Sequence, residues 1–227
     1  MRILLFFLIF SSLQGLAQTP AESCKQVHDI ALMEQAAHQR NMAGNISMES
    51  ITSASNNYDV KYYRCEWEVN PAVRYITGKV TVYFVITSAT NNIQIDLMNA
   101  LTVDSVKQRN TQLVRQHTNN TLSFDFPATI NAGVLDSVSI YYKGTPPNNG
   151  FGSFEITTHA GTPVMWSLSE PYGSRDWWPC KNGLDDKADS IDILITSLPQ
   201  YKAASNGMLQ SETLIAGGTK KLTHWKH

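Results

Sequence analysis

The chain has 227 residues, with 18 Lys plus Arg against 19 Asp plus Glu, a formal net charge of -1, and 42% apolar and 10% aromatic residues. That length allows one large domain, or one domain with an appendage, and the apolar content excludes global disorder. The longest basic run is Lys220-Lys221, which speaks against nucleic acid or an anionic membrane surface and leaves a small or peptide-like partner.

Residues 1–17 read as a signal peptide. Arg2 supplies a short positive region, residues 3–10 are apolar, and Gly15-Leu16-Ala17 places small residues at a cleavage site. The apolar run is too short to span a bilayer, and no later segment is apolar enough to cross one, so the mature chain is expected to be exported and soluble, in the periplasm or outside the cell. Residues 18–57 read as a helical extension and linker. Thr19, Pro20 and Glu22 form a helix start with a capping box, Val27, Ile30, Ala31, Met33 and Ala37 recur at helical spacing, and a Ser- and Asn-rich stretch follows Gly44.

From Tyr58 the period changes to two. Tyr58, Val60 and Tyr62 alternate, then Tyr63, Cys65, Trp67 and Val69 continue in the opposite phase, which predicts a bulge inside one strand. Asn70-Pro71 ends that strand, and Ile76, Val80, Val82, Phe84 and Ile86 mark the next. Short strands are predicted around residues 93–97, 101–106, 111–116, 122–126, 138–142, 154–157, 164–168 and 191–195, with turns at Asn119-Asn120, Ser205-Asn206-Gly207 and Gly217-Gly218. Strands this short and regular, with no helical pattern between them, predict an all-β domain over residues 58–227, a sandwich or curved set of antiparallel sheets. The chain stops inside a strand-like run at His224-Trp225-Lys226-His227, so it reads as truncated at its carboxyl end.

The stretch most unlike scaffold is residues 166–189, with three of the five tryptophans, Glu170-Pro171, Arg175-Asp176, Trp178-Pro179-Cys180 and Asp185-Asp186-Lys187. A well-packed corner with a satisfied Arg175 explains these residues without any function. No catalytic apparatus accompanies them: no His-Glu-Xaa-Xaa-His, no Gly-Xaa-Ser-Xaa-Gly and no glycine-rich phosphate loop occurs. His224 and His227 fall on opposite faces of a strand, a poor arrangement for a metal. Cys24, Cys65 and Cys180 are an odd count from which one pair can form in an oxidising compartment, and the spacing does not choose it. Cys180 has no evident base beside it.

Ser167-Leu168-Ser169-Glu170-Pro171, then Arg175, then Trp178-Pro179-Cys180 and Asp186-Lys187-Ala188, follow the order of motifs in the amino-terminal domain of the aminopeptidase N family of zinc metallopeptidases, which the sequence resembles. Residues 58–86, Tyr142-Lys143-Gly144, Ser205-Asn206-Gly207 and Thr223-His224-Trp225 extend the resemblance to His227. It implies a saddle of antiparallel sheets that faces the substrate and lies against a separate catalytic domain holding the zinc. That catalytic domain is expected beyond this chain's carboxyl end, so this chain itself is expected to bind no metal and to carry no catalytic residue. It further implies that Glu170 binds the free amino terminus of a peptide, with Arg175, Trp178 and Pro179 supporting the site. Leu168 stands where the family has Gln, so part of the substrate-binding pair is lost or supplied elsewhere. The competing reading is a free-standing secreted β-sandwich that binds a partner through Trp177 and Trp178, without enzymatic activity.

Overall fold

The computed structural model describes residues 54–148, 152–170 and 172–227. The expected signal peptide, the helix after Thr19, the linker as far as residue 53, and Cys24 lie outside the described residues.

The alternating pattern produces thirteen strands among the described residues: β1 Tyr58–Asn70, β2 Val73–Ile86, β3 Thr90–Asp96, β4 Leu101–Gln108, β5 Thr111–Gln112, β6 Val114–Thr118, β7 Thr121–Ile130, β8 Leu135–Gly144, β9 Glu155–His159, β10 Thr162–Trp166, β11 Ser190–Ser197, β12 Met208–Ile215 and β13 Lys220–Lys226. They form an eight-stranded sheet in the order β12-β13-β11-β1-β2-β8-β4-β5, a three-stranded sheet β3-β7-β6, and the hairpin β9-β10. The domain is all-β, as expected.

The predicted bulge in β1 is present. The register slips between Val60 and Tyr62 against β2, so Tyr58 and Val60 are buried and so are Tyr63, Cys65 and Trp67. Tyr62 is thereby turned to the opposite face from Tyr58 and Val60, one residue earlier than the sequence pattern suggested. β2 keeps the alternation of its apolar residues, burying Ile76, Val80, Val82, Phe84 and Ile86. The turn at Asn119 and Asn120 has φ of 52° and 60°, the left-handed conformation in which Asn costs least among side-chain-bearing residues, and it joins β6 to β7.

One of the two expected hairpin turns near the carboxyl end differs from the expectation. Ser205-Asn206-Gly207 does not close a hairpin, because β12 pairs with β13 and not with the preceding β11. Gly217-Gly218 does join two paired strands, β12 and β13. In addition β1 and β11 run parallel, Cys65 beside Ile193 and Trp67 beside Ile195. A parallel pair needs a long crossover, and here it contains everything from β2 to residue 189.

The core lies between the eight- and three-stranded sheets. Phe84 meets Tyr58 and Phe126 with ring centroids 5.8 and 6.2 Å apart, Phe126 meets Phe124 at 5.9 Å, and the Tyr58 hydroxyl donates to the Gln94 carbonyl at 3.0 Å. Such edge-on contacts add to the burial of large rings. At the far side of the same core the Tyr142 ring covers Gly78 so closely that a Cβ there would lie 2.5 Å from it. Alanine at position 78 must push Tyr142 off its hydrogen bond to the Trp177 carbonyl. Gly78→Ala is therefore expected to cost about 1–3 kcal/mol of stability, read from urea unfolding; an unchanged midpoint would refute the packing described for Tyr142.

On the opposite face Asp192 links three strands. It accepts hydrogen bonds from the Tyr62 hydroxyl on β1 and, at 2.9 Å, from His224 Nε2 on β13. Burial and this bond push the Tyr62 hydroxyl up to about 12. Burial opposes the Asp192 charge, but the two hydrogen bonds outweigh it and hold the carboxyl below its ordinary 3.8. The stability that Asp192 supplies is thus complete above pH 3.8 and is lost as pH falls through the lowered value. Asp192→Asn is expected to be less stable than the parent at neutral pH, with the difference closing in strong acid. Urea midpoints across that range test this, and a gap that persists in acid contradicts it.

Candidate functional site

The stretch from β10 to β11 folds back over the end of the large sheet as an irregular loop with a single 3-10 turn at Ser174–Asp176. Two indoles hold it down. Trp177 lies 4.6 Å from Trp67 and 5.9 Å from Phe154 between ring centroids, and Trp178 lies 5.1 Å from Tyr63. Trp177 is buried and Trp178 half-buried, while Pro179 and Cys180 are buried. These two indoles are packing anchors for the loop, and both also line an open groove. The exposed indole of the stretch is Trp166.

Polar contacts fix the backbone of the loop. Asp96, at the end of β3 and fully buried, pairs with Cys180 in a two-residue antiparallel bridge, N–H to carbonyl at 2.9 and 3.1 Å. Its Oδ2 accepts from the Asn182 N–H at 3.0 Å. The Asn182 side chain then accepts from the Arg175 N–H at 3.3 Å and donates to the Tyr172 carbonyl at 2.9 Å. The Arg175 carbonyl accepts from the Met98 N–H at 2.9 Å, so Arg175 joins this network through its backbone. Further along, Lys181 Nζ donates to Asp186 at 2.7 Å and to the Tyr58 carbonyl at 2.9 Å, and sits over the Tyr58 ring.

Glu170 lies in the turn that begins at Ser169. The Ser169 carbonyl accepts from the Gly173 N–H at 2.7 Å, and the Ser169 Oγ accepts from Trp177 Nε1 at 3.0 Å. Glu170 is exposed and has no hydrogen-bond or ion-pair partner among the described residues. Its neighbours in the stretch are engaged: Asp176 accepts from Ser153 Oγ at 2.6 Å, Asp186 holds Lys181, and Asp189 lies 3.6 Å from Lys61. Leu168 is exposed, and its N–H donates to the Gly152 carbonyl at 3.1 Å. Ser169 also edges an open, mostly apolar groove of about 600 Å³ between Trp67, Trp177, Trp178 and the Ile191, Ile193 and Ile195 side chains of β11.

The family model for the peptidase M1 N-terminal domain matches residues 55–227. The chain belongs to that family. Among solved structures, the M1 zinc metallopeptidase from Deinococcus radiodurans aligns with a TM-score of 0.69 at 21% identity, covering 76% of this chain and 39% of that one. A mutant of it bound to a Tyr-Ser-Ala substrate aligns at 0.67 with 22% identity, covering 76% and 40%. A two-domain M1 zinc metallopeptidase mutant bound to L-arginine aligns at 0.68 with 22% identity and the same coverage. These likenesses show a shared fold, and this chain spans about 40% of the length of those proteins. No curated protein matches the sequence.

The M1 family is one of zinc metallopeptidases, and the described residues do not fit a zinc site: no three His, Cys, Asp or Glu side chains converge among them where they could hold an ion. The two described thiols, Cys65 and Cys180, are fully buried, and burial pushes both up, away from the thiolate form that metals and electrophiles require. What this M1 N-terminal domain offers is a loop held by internal hydrogen bonds, on which the exposed carboxylates of Glu170 and Asp185 have no partner among the described residues. The sequence pointed to Glu170, Arg175, Trp178 and Pro179 but not to Ser169, whose bond to Trp177 follows no recurring pattern, nor to Asp96 and Asn182, whose mutual bond joins segments 86 residues apart.

Asp96 is the test of those hydrogen bonds. Replacing it with alanine removes a charged acceptor and leaves the buried Asn182 N–H unpaired, which is expected to cost about 2–3 kcal/mol. Asp96→Asn keeps an acceptor and should lose less. Urea unfolding followed by the near-ultraviolet tryptophan signal reads both; equal stability of Asp96→Ala and the parent would show that the corner does not depend on Asp96.

Proposed function

We propose that this chain is the amino-terminal, substrate-facing part of an exported zinc aminopeptidase, and that Glu170 receives the ammonium group at the free amino terminus of the peptide. The observation that carries the reading is the state of Glu170: exposed in the turn that follows the bonded Ser169 and without a partner among the described residues, while the nearby Asp176 and Asp186 are committed to internal partners. A carboxylate held ready in this way selects ligands ending in a positive charge and confers no preference for an internal amide. The M1 membership and the peptide-bound relative support the substrate class.

Export is supported by Arg2, the apolar residues 3–10 and Gly15-Leu16-Ala17. Among the described residues no helix is long and apolar enough to cross a membrane. A catalytic domain supplies the zinc chemistry in this reading and covers the apolar surface left open here. Trp166, Leu168, Leu209 and Leu214 are exposed, and every residue of β12 but the last is exposed. Surface of that kind marks a contact made by another domain.

The experiment is kinetic, on the full-length protein purified from its source and on variants at Glu170. Glu170→Ala and Glu170→Gln are expected to lower kcat/KM on substrates with a free amino terminus by at least about tenfold, the worth of a charged hydrogen bond. Both should leave zinc content unchanged and narrow the preference over amino-terminally acetylated substrates. Unaltered kinetics on aminoacyl substrates would remove Glu170 from the role.

A further inference from the structure

Glu170 has a carboxylate with no partner of its own, so whatever aims it must act through the backbone on either side. On one side stands Ser169, held twice: its carbonyl by the Gly173 N–H at 2.7 Å and its Oγ by Trp177 Nε1 at 3.0 Å. The Gly173 that makes the first of these bonds is itself confined: a Cβ there would lie 2.7 Å from Ser153 Oγ and 3.1 Å from the Leu168 carbonyl. Ser153 is itself buried and donates to the buried Asp176 at 2.6 Å.

Trp177 is a fixed post for this arrangement. Its ring is clamped between Trp67 and Phe154, and its carbonyl accepts from the buried Tyr142 hydroxyl at 3.0 Å. An indole N–H is a donor only and needs an acceptor when buried. The hydroxyl at position 169 is that acceptor.

We propose that Ser169 is a positioning residue: its hydroxyl, held by the Trp177 N–H, fixes the backbone from which the Glu170 side chain projects before substrate arrives. This rests on the reading of Glu170 as the acceptor of the peptide amino terminus. A charged group that need not be reoriented on binding keeps the part of its interaction energy that ordering would otherwise consume. Position 169 therefore requires a side chain with a hydroxyl at the β-carbon. Serine and threonine meet that need, and alanine does not.

The test is a set of variants of the full-length protein assayed on a substrate with a free amino terminus: Ser169→Ala, Ser169→Thr, Glu170→Ala and the double variant Ser169→Ala/Glu170→Ala. Loss of the one hydrogen bond is expected to raise KM about fivefold in Ser169→Ala with kcat within about twofold of the parent. Ser169→Thr should restore KM. In the Glu170→Ala background Ser169→Ala should add nothing, because the group it aims is gone. A KM unmoved by Ser169→Ala, a failure of threonine to restore it, or a rise that multiplies fully onto Glu170→Ala overturns the positioning role while leaving the amino-terminus reading intact. If Glu170→Ala alone leaves KM unchanged, the amino-terminus reading falls and the positioning role with it.

Discussion

Asp96 joins the smaller sheet to the loop that carries Glu170. It ends β3 in the smaller sheet, pairs its backbone with Cys180, and spends its side chain on the Asn182 N–H. From Asn182 the constraint passes to Tyr172 and Arg175, and from Arg175 back to Met98 beside Asp96. The circuit closes on itself, so many backbone groups of the loop between residues 172 and 182 find partners although it contains no strand and only one short 3-10 turn. A buried loop is otherwise costly, since unpaired N–H and carbonyl groups in a core lose their water. A buried carboxylate at the hub suits the task because it accepts more bonds than a neutral side chain of the same size.

The aromatic layer does a different job. Trp67, Trp177, Phe154 and Trp178 bury large areas and fix where the loop sits on the sheet, but ring contacts tolerate sliding. The direction of individual backbone groups comes from the polar bonds: Tyr142 to the Trp177 carbonyl, Tyr63 to the Lys181 N–H, and Trp177 Nε1 to Ser169. The loop thus combines apolar burial, which supplies most of its stability, with a few directional bonds that set its shape.

Much of this was legible in the sequence because strand periodicity is local. The alternation in β2, the bulge in β1 and the Asn119-Asn120 turn are written in neighbouring residues, and the structure differs by single residues at most. Strand order is not local. Ser205-Asn206-Gly207 has the composition of a hairpin turn, yet the strand after it passes beyond β11 and pairs with β13, because β11 already has β1 on one side and β13 on the other. The motifs around Glu170 could be recognised as a series, but Asp96 lies 86 residues from the Asn182 it holds. The Trp177 to Ser169 bond is close in sequence and still had no signal, since serine and tryptophan eight residues apart form no recurring pattern.

Under the proposed reading, the exposure of Glu170 also bears on where its selectivity arises. A single carboxylate facing water attracts an ammonium group only weakly, about 1 kcal/mol at 4 Å separation. The same pair strengthens several-fold when water is excluded and the local dielectric falls. This domain alone braces Glu170 but does not cover it, and the groove beside Ser169 is likewise open. Recognition of an amino terminus then needs two contributions of different origin. The turn anchored on Ser169 and Trp177 supplies the direction of the carboxylate, and whatever covers this face supplies the dry surroundings in which that direction carries weight. Leu168, exposed one residue before Ser169, offers no polar atom of its side chain to share the work.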